Sequence, residues 1–123
     1  MSYSTQKEQE KAVLVGIIYS NKEDVVSQLK ELERLSETAG VIVLGSTYQL
    51  IREVNPATLI GEGKVEEVKN LITEQNANLV IFDTELSGSQ AKNLSEYLGC
   101  KVIDRITLIL DIFAKRAISN EGK

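Results

Sequence analysis

Ala12-Val-Leu-Val-Gly-Ile-Ile18 is an unbroken apolar run of strand length, rich in β-branched residues. A strand on a half-solvated sheet alternates apolar and polar residues, so a run without alternation is buried on both faces, as in a parallel sheet covered by helices. Leu79-Val-Ile-Phe-Asp83 repeats the pattern and ends in a carboxylate. These two strands belong in the middle of the sheet. Val41-Ile-Val-Leu-Gly-Ser-Thr-Tyr-Gln49 turns polar toward its end and is placed at an edge. Cys100-Lys-Val-Ile-Asp104 is the short fourth strand.

A helical pattern follows each strand. Asn21 is the expected cap of the first helix, with Glu23 and Asp24 in its first turn. Val25, Leu29, Leu32 and Leu35 form its inner stripe, and Gly40 stands just past its end. Lys64 is expected to open the second helix, with Val65, Val68, Leu71 and Ile72 on one face and a turn at Asn76-Ala-Asn78. Ser87-Gly-Ser-Gln90 has capping-box spacing and leads into Ala91, Leu94 and Leu98, with a stop at Gly99. The last helix runs from Arg105 to about Ile118. Its stripe Ile106, Ile109, Leu110, Phe113 and Ala117 is expected to face inward, and Leu108 and Ile112, off that stripe, imply a second packing partner.

Four β-α units in succession predict an α/β fold of three layers, α/β/α. The sheet is four-stranded and parallel in the order 2-1-3-4, with right-handed crossovers and helices on both faces. That order has a switch point between strands 1 and 3, and ligands of such sheets bind outside the carboxyl ends of the strands. The residues before Ala12 read as a polar tail, so the division is tail 1–11 and domain 12–118.

Composition narrows the function classes. At 123 residues with 42% hydrophobic and 26% charged residues, the chain matches one ordinary globular domain. A net charge of −4 gives no global attraction to nucleic acid or an anionic membrane. One cysteine, Cys100, allows no intrachain disulfide and reads as an inert structural thiol. The absence of histidine removes Ser-His-Asp and Cys-His nucleophile systems and Cys/His metal sites. No apolar run approaches the roughly 20 residues of a membrane span, so a cytoplasmic location without a transmembrane segment is expected.

Glu53 to Glu67 is the one long aperiodic connection, and it holds the only proline, Pro56. Gly61-Glu-Gly63-Lys64 invites comparison with a phosphate-binding loop. Thr58 stands where that loop needs a glycine and Val65 where it needs Ser or Thr, so the P-loop mechanism is excluded. Asp83, Glu85 and Asp104 at strand ends offer oxygen ligands of the kind Mg²⁺ takes, but caps and turns use the same residues. The expectation is no metal. Arg52, Lys64, Arg105, Lys115 and Arg116 make an RNA-contacting patch only if the fold groups them.

Three segments, Asn55 to Glu67, Leu79 to Leu94 and Val102 to Ala117, together resemble the N-terminal domain of the HflX family of ribosome-associated GTPases. The likeness runs from about Lys11 to Lys123. It implies a non-catalytic ribosome-interaction and regulatory domain, with residues 119–123 starting a helical linker to a GTPase domain outside this sequence. GTP and Mg²⁺ belong to that absent domain, and no cofactor and no catalytic residue are expected in this chain. The implied partners are the large ribosomal subunit, through its RNA, and the protein's own linker and GTPase domain. The implied role is the splitting or rescue of ribosomes under stress. The family motifs fall on Asn55, Pro56, Thr58, Gly61, Gly63, Lys64, Asp83, Glu85, Ser87, Gln90, Asp104, Arg105, Asp111 and Arg116, and all but Asp111 are the candidate binding residues. A different reading is a nucleotide-binding or weakly ATP-hydrolysing domain that uses the strand-end crevice near residues 53–64. A third assigns the over-apolar last helix to dimer contacts.

Overall fold

The computed structural model describes residues 8–121, with side chains as far as Lys115. The elements alternate: β1 (Lys11–Ile18), α1 (Val25–Thr38), β2 (Ile42–Leu50), α2 (Glu62–Gln75), β3 (Leu79–Phe82), α3 (Gly88–Leu98), β4 (Lys101–Asp104) and α4 (Arg105–Glu121). All strand pairs are parallel and the order is β2-β1-β3-β4, as the apolar runs predict.

The two central strands are buried on both faces. Val13, Val15, Ile17, Val80 and Phe82 point into a core shared with Val68 and Ile72 of α2 and Leu94 and Leu98 of α3. Ala12, Leu14, Leu79 and Ile81 point the other way, against Leu32 of α1 and Leu108 of α4. Gly16 continues this second face, where a Cβ would lie 3.1 Å from Leu29 Cδ2 and 3.3 Å from Val25 Cγ2. The missing side chain lets α1 lie close on the sheet. In β2 an extra residue interrupts the ladder, because Ala12 pairs with Val43 but Val13 with Gly45. A bulge of this kind twists an edge strand away from outside pairing.

Several helix ends follow their local chemistry. Ser87 and Gln90 form the capping box of α3, each side chain accepting from the other's backbone N–H. Gly40, with φ +85°, takes the left-handed turn after α1, where other residues are strained. Asn76 makes the same turn after α2 at φ 60°.

Four expectations need correction. The cap of α1 is Asp24, not Asn21. The Asp24 carboxylate accepts from the N–H of Ser27 at 3.1 Å, three residues on, which is the distance a capping side chain spans. Helix α2 opens at Glu62, because Gly61 already has the extended backbone of a cap. Lys11, grouped by polarity with the tail, is the first residue of β1, and its N–H is held by Asn78 Oδ1 at 2.8 Å.

The largest correction concerns α4. Leu108 is buried and Ile112 packs against the same core, while Ile106, Leu110 and Phe113 face outward. The reason is the junction: Arg105 follows Asp104 with no intervening loop. The Asp104 carboxylate holds the Thr107 N–H at 2.9 Å, and Arg105 reaches back to Asp83, so the helix is locked in rotation with Arg105, Leu108 and Ile112 on its inner side. Ala117 lies beyond the described side chains.

Candidate functional site

The candidate residues gather at the carboxyl end of the sheet in two clusters. The first is the connection after β2. Asn55 and Leu59 pair across a tight turn over Pro56, Ala57 and Thr58, and Asn55 Oδ1 accepts from the Ala57 N–H at 2.9 Å. Leu59 takes φ 67°, rare for a branched side chain, and is held there by burial. The Thr58 hydroxyl is buried and donates to Ile60 O at 2.7 Å. From α3, Gln90 Nε2 donates to Asn55 O at 3.4 Å and Asn93 Nδ2 to Ala57 O at 3.0 Å. The segment is a clamped turn whose polar groups are largely used within the domain.

Gly61 and Gly63 follow it at the start of α2. Neither has a positive φ, and open space lies where each Cβ would be. Neither strain nor packing within the domain requires glycine there. Lys64 does not face a ligand site: its ammonium contacts Glu67 at 2.8 Å and the Thr47 hydroxyl at 3.3 Å. The hydrogen bond from Lys64, and then that from the Thr47 hydroxyl, which donates to Glu67 Oε2 at 2.7 Å, hold the Glu67 carboxyl below its ordinary range. Between the turn, α2 and α3 lies an open groove of about 390 Å³, lined among others by Thr58, Glu62, Val65, Glu66 and Tyr97.

The second cluster lies at the ends of β3 and β4. Arg105 spans it, with Nη1 3.2 Å from Asp83 Oδ1 and Nη2 2.9 Å from Glu31 Oε1 on α1. The Asp83 side chain is only 6% exposed, and burial raises its carboxyl above the ordinary range despite the guanidinium, with Glu31 and Glu23 adding to the rise. Burial lowers the Arg105 guanidinium's affinity for its proton, but its bonds to Glu31 and Asp83 outweigh that and strengthen it. Asp104 is also buried, yet its carboxyl lies below the ordinary range. Burial alone would raise it. The N–H groups of Leu86, at 2.8 Å, and Thr107, at 2.9 Å, outweigh the desolvation by stabilising the anion.

The strand-end carboxylates do not converge on one point. Both oxygens of Asp104 are taken by backbone N–H groups and Asp83 is paired with Arg105, while Glu85 points to solvent. Among the described residues no group of three or more acidic or thiol ligands converges. Three of the basic residues form no single patch. Lys64 lies on α2, Arg105 at the carboxyl end of the sheet, and Lys115 at the opposite end, where it donates to Ala39 O and pairs with Asp111 at 3.5 Å. Arg116 lies outside the described side chains. Reasoning from the sequence missed Glu31, Asn93 and Tyr97. Asn93 had a signal, since it stands three residues after Gln90 and so on the same face of α3; Glu31 had none, being 74 positions from Arg105.

The molecule is thus an open, parallel α/β domain whose strand-end polar residues are mostly bound to one another. Comparison with known proteins places it more narrowly. The family described as GTP-binding GTPase N-terminal matches residues 26–114, and the chain belongs to that family as an HflX-type N-terminal domain. It is 48% identical over 116 residues to the GTPase HflX of Caldanaerobacter subterraneus subsp. tengcongensis, covering 94% of this chain and 27% of that protein. With the GTPase HflX of Escherichia coli the identity is 41% over 114 residues, covering 93% and 26%. The chain therefore spans about a quarter of the length of these relatives. The crystal structure of a GTP-binding protein from the hyperthermophilic archaeon Sulfolobus solfataricus in complex with GDP shares the fold, with a TM-score of 0.60 over 86% of this chain and 30% of the other, at 24% identity. Among the described residues no helix is long and apolar enough to cross a membrane.

Proposed function

We propose that this chain is the non-catalytic docking and regulatory part of a cytoplasmic HflX-type GTPase. GTP and Mg²⁺ are bound and GTP is hydrolysed by a domain beyond these residues. The protein acts on the large ribosomal subunit, splitting or rescuing ribosomes under stress. The observation that carries this reading is the 48% identity to a GTPase HflX over nearly all of this chain but only 27% of that protein. The site chemistry supports it: the strand-end residues that would serve as acid, base or metal ligand are tied up in internal bonds.

The docking surface in this reading is the carboxyl end of the sheet, where Pro56, Gly61, Gly63 and Ser87 are exposed and Asn55 half-exposed, while the buried Thr58 and Gln90 hold the turn from beneath. The glycine pair supports this assignment, because the space it leaves open is outside the domain. Contact there is read as through backbone and shape, since Lys64 and Arg105 are held in ion pairs and Lys115 lies at the opposite end of the sheet. Titration of the 123-residue chain against purified large ribosomal subunits tests the proposal, and saturable binding is expected. If the full-length protein binds and the chain does not, autonomous docking is excluded. Calorimetry of the chain with GTP and Mg²⁺ is expected to show no heat of binding. The carboxylates of Glu23, Glu31 and Asp83 around the switch point disfavour a triphosphate there.

A further inference from the structure

The groove of about 390 Å³ between the 55–59 turn, α2 and α3 is open to solvent. Val65, which packs on the core, and the buried Thr58 form its base. Glu62 and Glu66 line it from α2, and Tyr97, 59% exposed, lines it from α3. No lysine or arginine lines it. A single exposed tyrosine is ordinary, but this ring stands across a groove from two carboxylates.

Nothing inside the domain accounts for those carboxylates together. Glu62 stands in the first turn of α2, where the helix dipole favours an anion, but Glu66 is a turn further on. At i and i+4 the two like charges repel and cost helix stability. Glu67 beside them is paired with Lys64, whereas among the described residues neither Glu62 nor Glu66 is in an ion pair. Thr58 has the same polarity. Its hydroxyl donates its only proton to Ile60 O at 2.7 Å, so toward the groove it can only accept.

Charge and shape choose the occupant. Two unpaired carboxylates repel a phosphate, and so a nucleic acid. A small molecule needs a pocket that covers most of its surface, and this groove is open and near the lower end of the roughly 300–1,000 Å³ range of such pockets. An extended basic segment meets neither objection, because it need place only one side chain here while its backbone stays outside. Arginine fits best. Its planar guanidinium forks between carboxylates, stacks on an aromatic ring and is more weakly hydrated than an ammonium.

We propose that the groove between α2 and α3 docks an arginine-bearing basic segment of a partner protein, with the guanidinium between Glu62 and Glu66 and over the Tyr97 ring, an inference that does not depend on the ribosome reading of the adjoining rim.

The test follows the backbone amide NMR spectrum of the 123-residue chain as a short blocked Arg-Gly-Arg peptide is added. Saturable shifts at Val65, Glu66 and Tyr97 are expected, with a Kd of about 1 mM or tighter. Glu62→Gln with Glu66→Gln should weaken binding by roughly fivefold or more. Tyr97→Ser should weaken it by roughly threefold. Glu33→Gln with Glu37→Gln removes the same charge at the same spacing from the exposed side of α1, and it should leave binding within about twofold. All four glutamates are exposed, so neither pair should change the unfolding equilibrium by more than roughly twofold. Absence of saturable shifts overturns the proposal. So does an equal loss from both glutamate pairs, which makes the binding a property of overall charge. Oligouridylate in place of the peptide should leave Val65 and Tyr97 unshifted, and shifts there overturn the proposal in favour of nucleic acid. The full-length protein should take the peptide with similar affinity; if it does not, the groove is filled by the protein's own polypeptide and no outside partner docks there.

Discussion

Asp83 and Asp104 stand at the ends of neighbouring strands, and the register sets those ends level, with Phe82 paired to Asp104. Both aspartates follow short apolar runs and both carboxylates are nearly removed from water. Their electrostatics are nevertheless opposite, Asp83 raised and Asp104 lowered. The difference lies in what faces the anion. Asp104 receives two backbone N–H groups, fixed dipoles that cost no further ordering once the chain is folded. Asp83 receives one end of a long guanidinium that is shared with Glu31 and stands near other carboxylates. Backbone donors in place stabilise a buried charge better than a mobile cation among competing anions.

Asp104→Ala tests the stronger half of this contrast. It strands the Leu86 N–H and unlocks the first turn of α4, and a loss of about 2–3 kcal/mol in urea unfolding is expected. Arg105→Met comes next. It leaves the Asp83 carboxylate buried without its cation, and roughly 1–2 kcal/mol should be lost at pH 7, between the values for exposed and fully buried pairs. Much of that loss should return in mild acid as Asp83 takes up a proton. Ser87→Ala removes one half of the capping box while sparing both aspartates, and about 1 kcal/mol is expected.

Asp83→Asn should have the smallest effect, within about 1 kcal/mol at pH 7 and of either sign, because it exchanges a desolvated charge for a neutral group. Its signature is in the pH dependence. A carboxyl raised on folding contributes stability below its unfolded pKa and loses it as pH rises through the folded value. Removing Asp83 should therefore flatten the stability curve in the range just above the ordinary carboxyl value of about 3.9. Asp104 works in the other direction: its contribution is present above the unfolded pKa and is lost as pH falls through the lower folded value. Carboxyl-carbon NMR titration of the two residues should give midpoints on opposite sides of the ordinary value. Coincident midpoints would dissolve the contrast.

The docking reading gains from this contrast. A carboxylate poised for proton transfer needs a nearby exchange partner and access, but Asp104 is closed by backbone and Asp83 by Arg105. Both residues build the platform that carries the 83–87 connection, since Asp104 grips Leu86 just before the Ser87 cap. The rim from Asn55 to Gln90 is therefore firm, fastened by Asp104 beneath and by Gln90 and Asn93 across. Firmness suits a surface that binds by shape.

What the sequence by itself determined is everything governed by local periodicity and local caps. Runs such as Val13 to Val15 and Val80 to Phe82 are apolar without alternation, so they were bound to be central and parallel, and the 2-1-3-4 order followed. Ser87 with Gln90 and Gly40 announced helix ends because their chemistry works across three or four residues. The tertiary structure alone decided which of α4's two apolar faces meets the sheet. A helical period shows that Leu108 and Ile112 form one stripe and Ile106, Leu110 and Phe113 another, but counting favours the larger one. The rotation is set instead by a carboxylate on β4 and by an arginine reaching across to β3 and α1, contacts made between residues far apart in the chain. For the same reason the opposite fates of Asp83 and Asp104 could not be read from two similar strand ends: a pKa depends on the groups that folding brings around a charge, and the sequence alone does not say which those are.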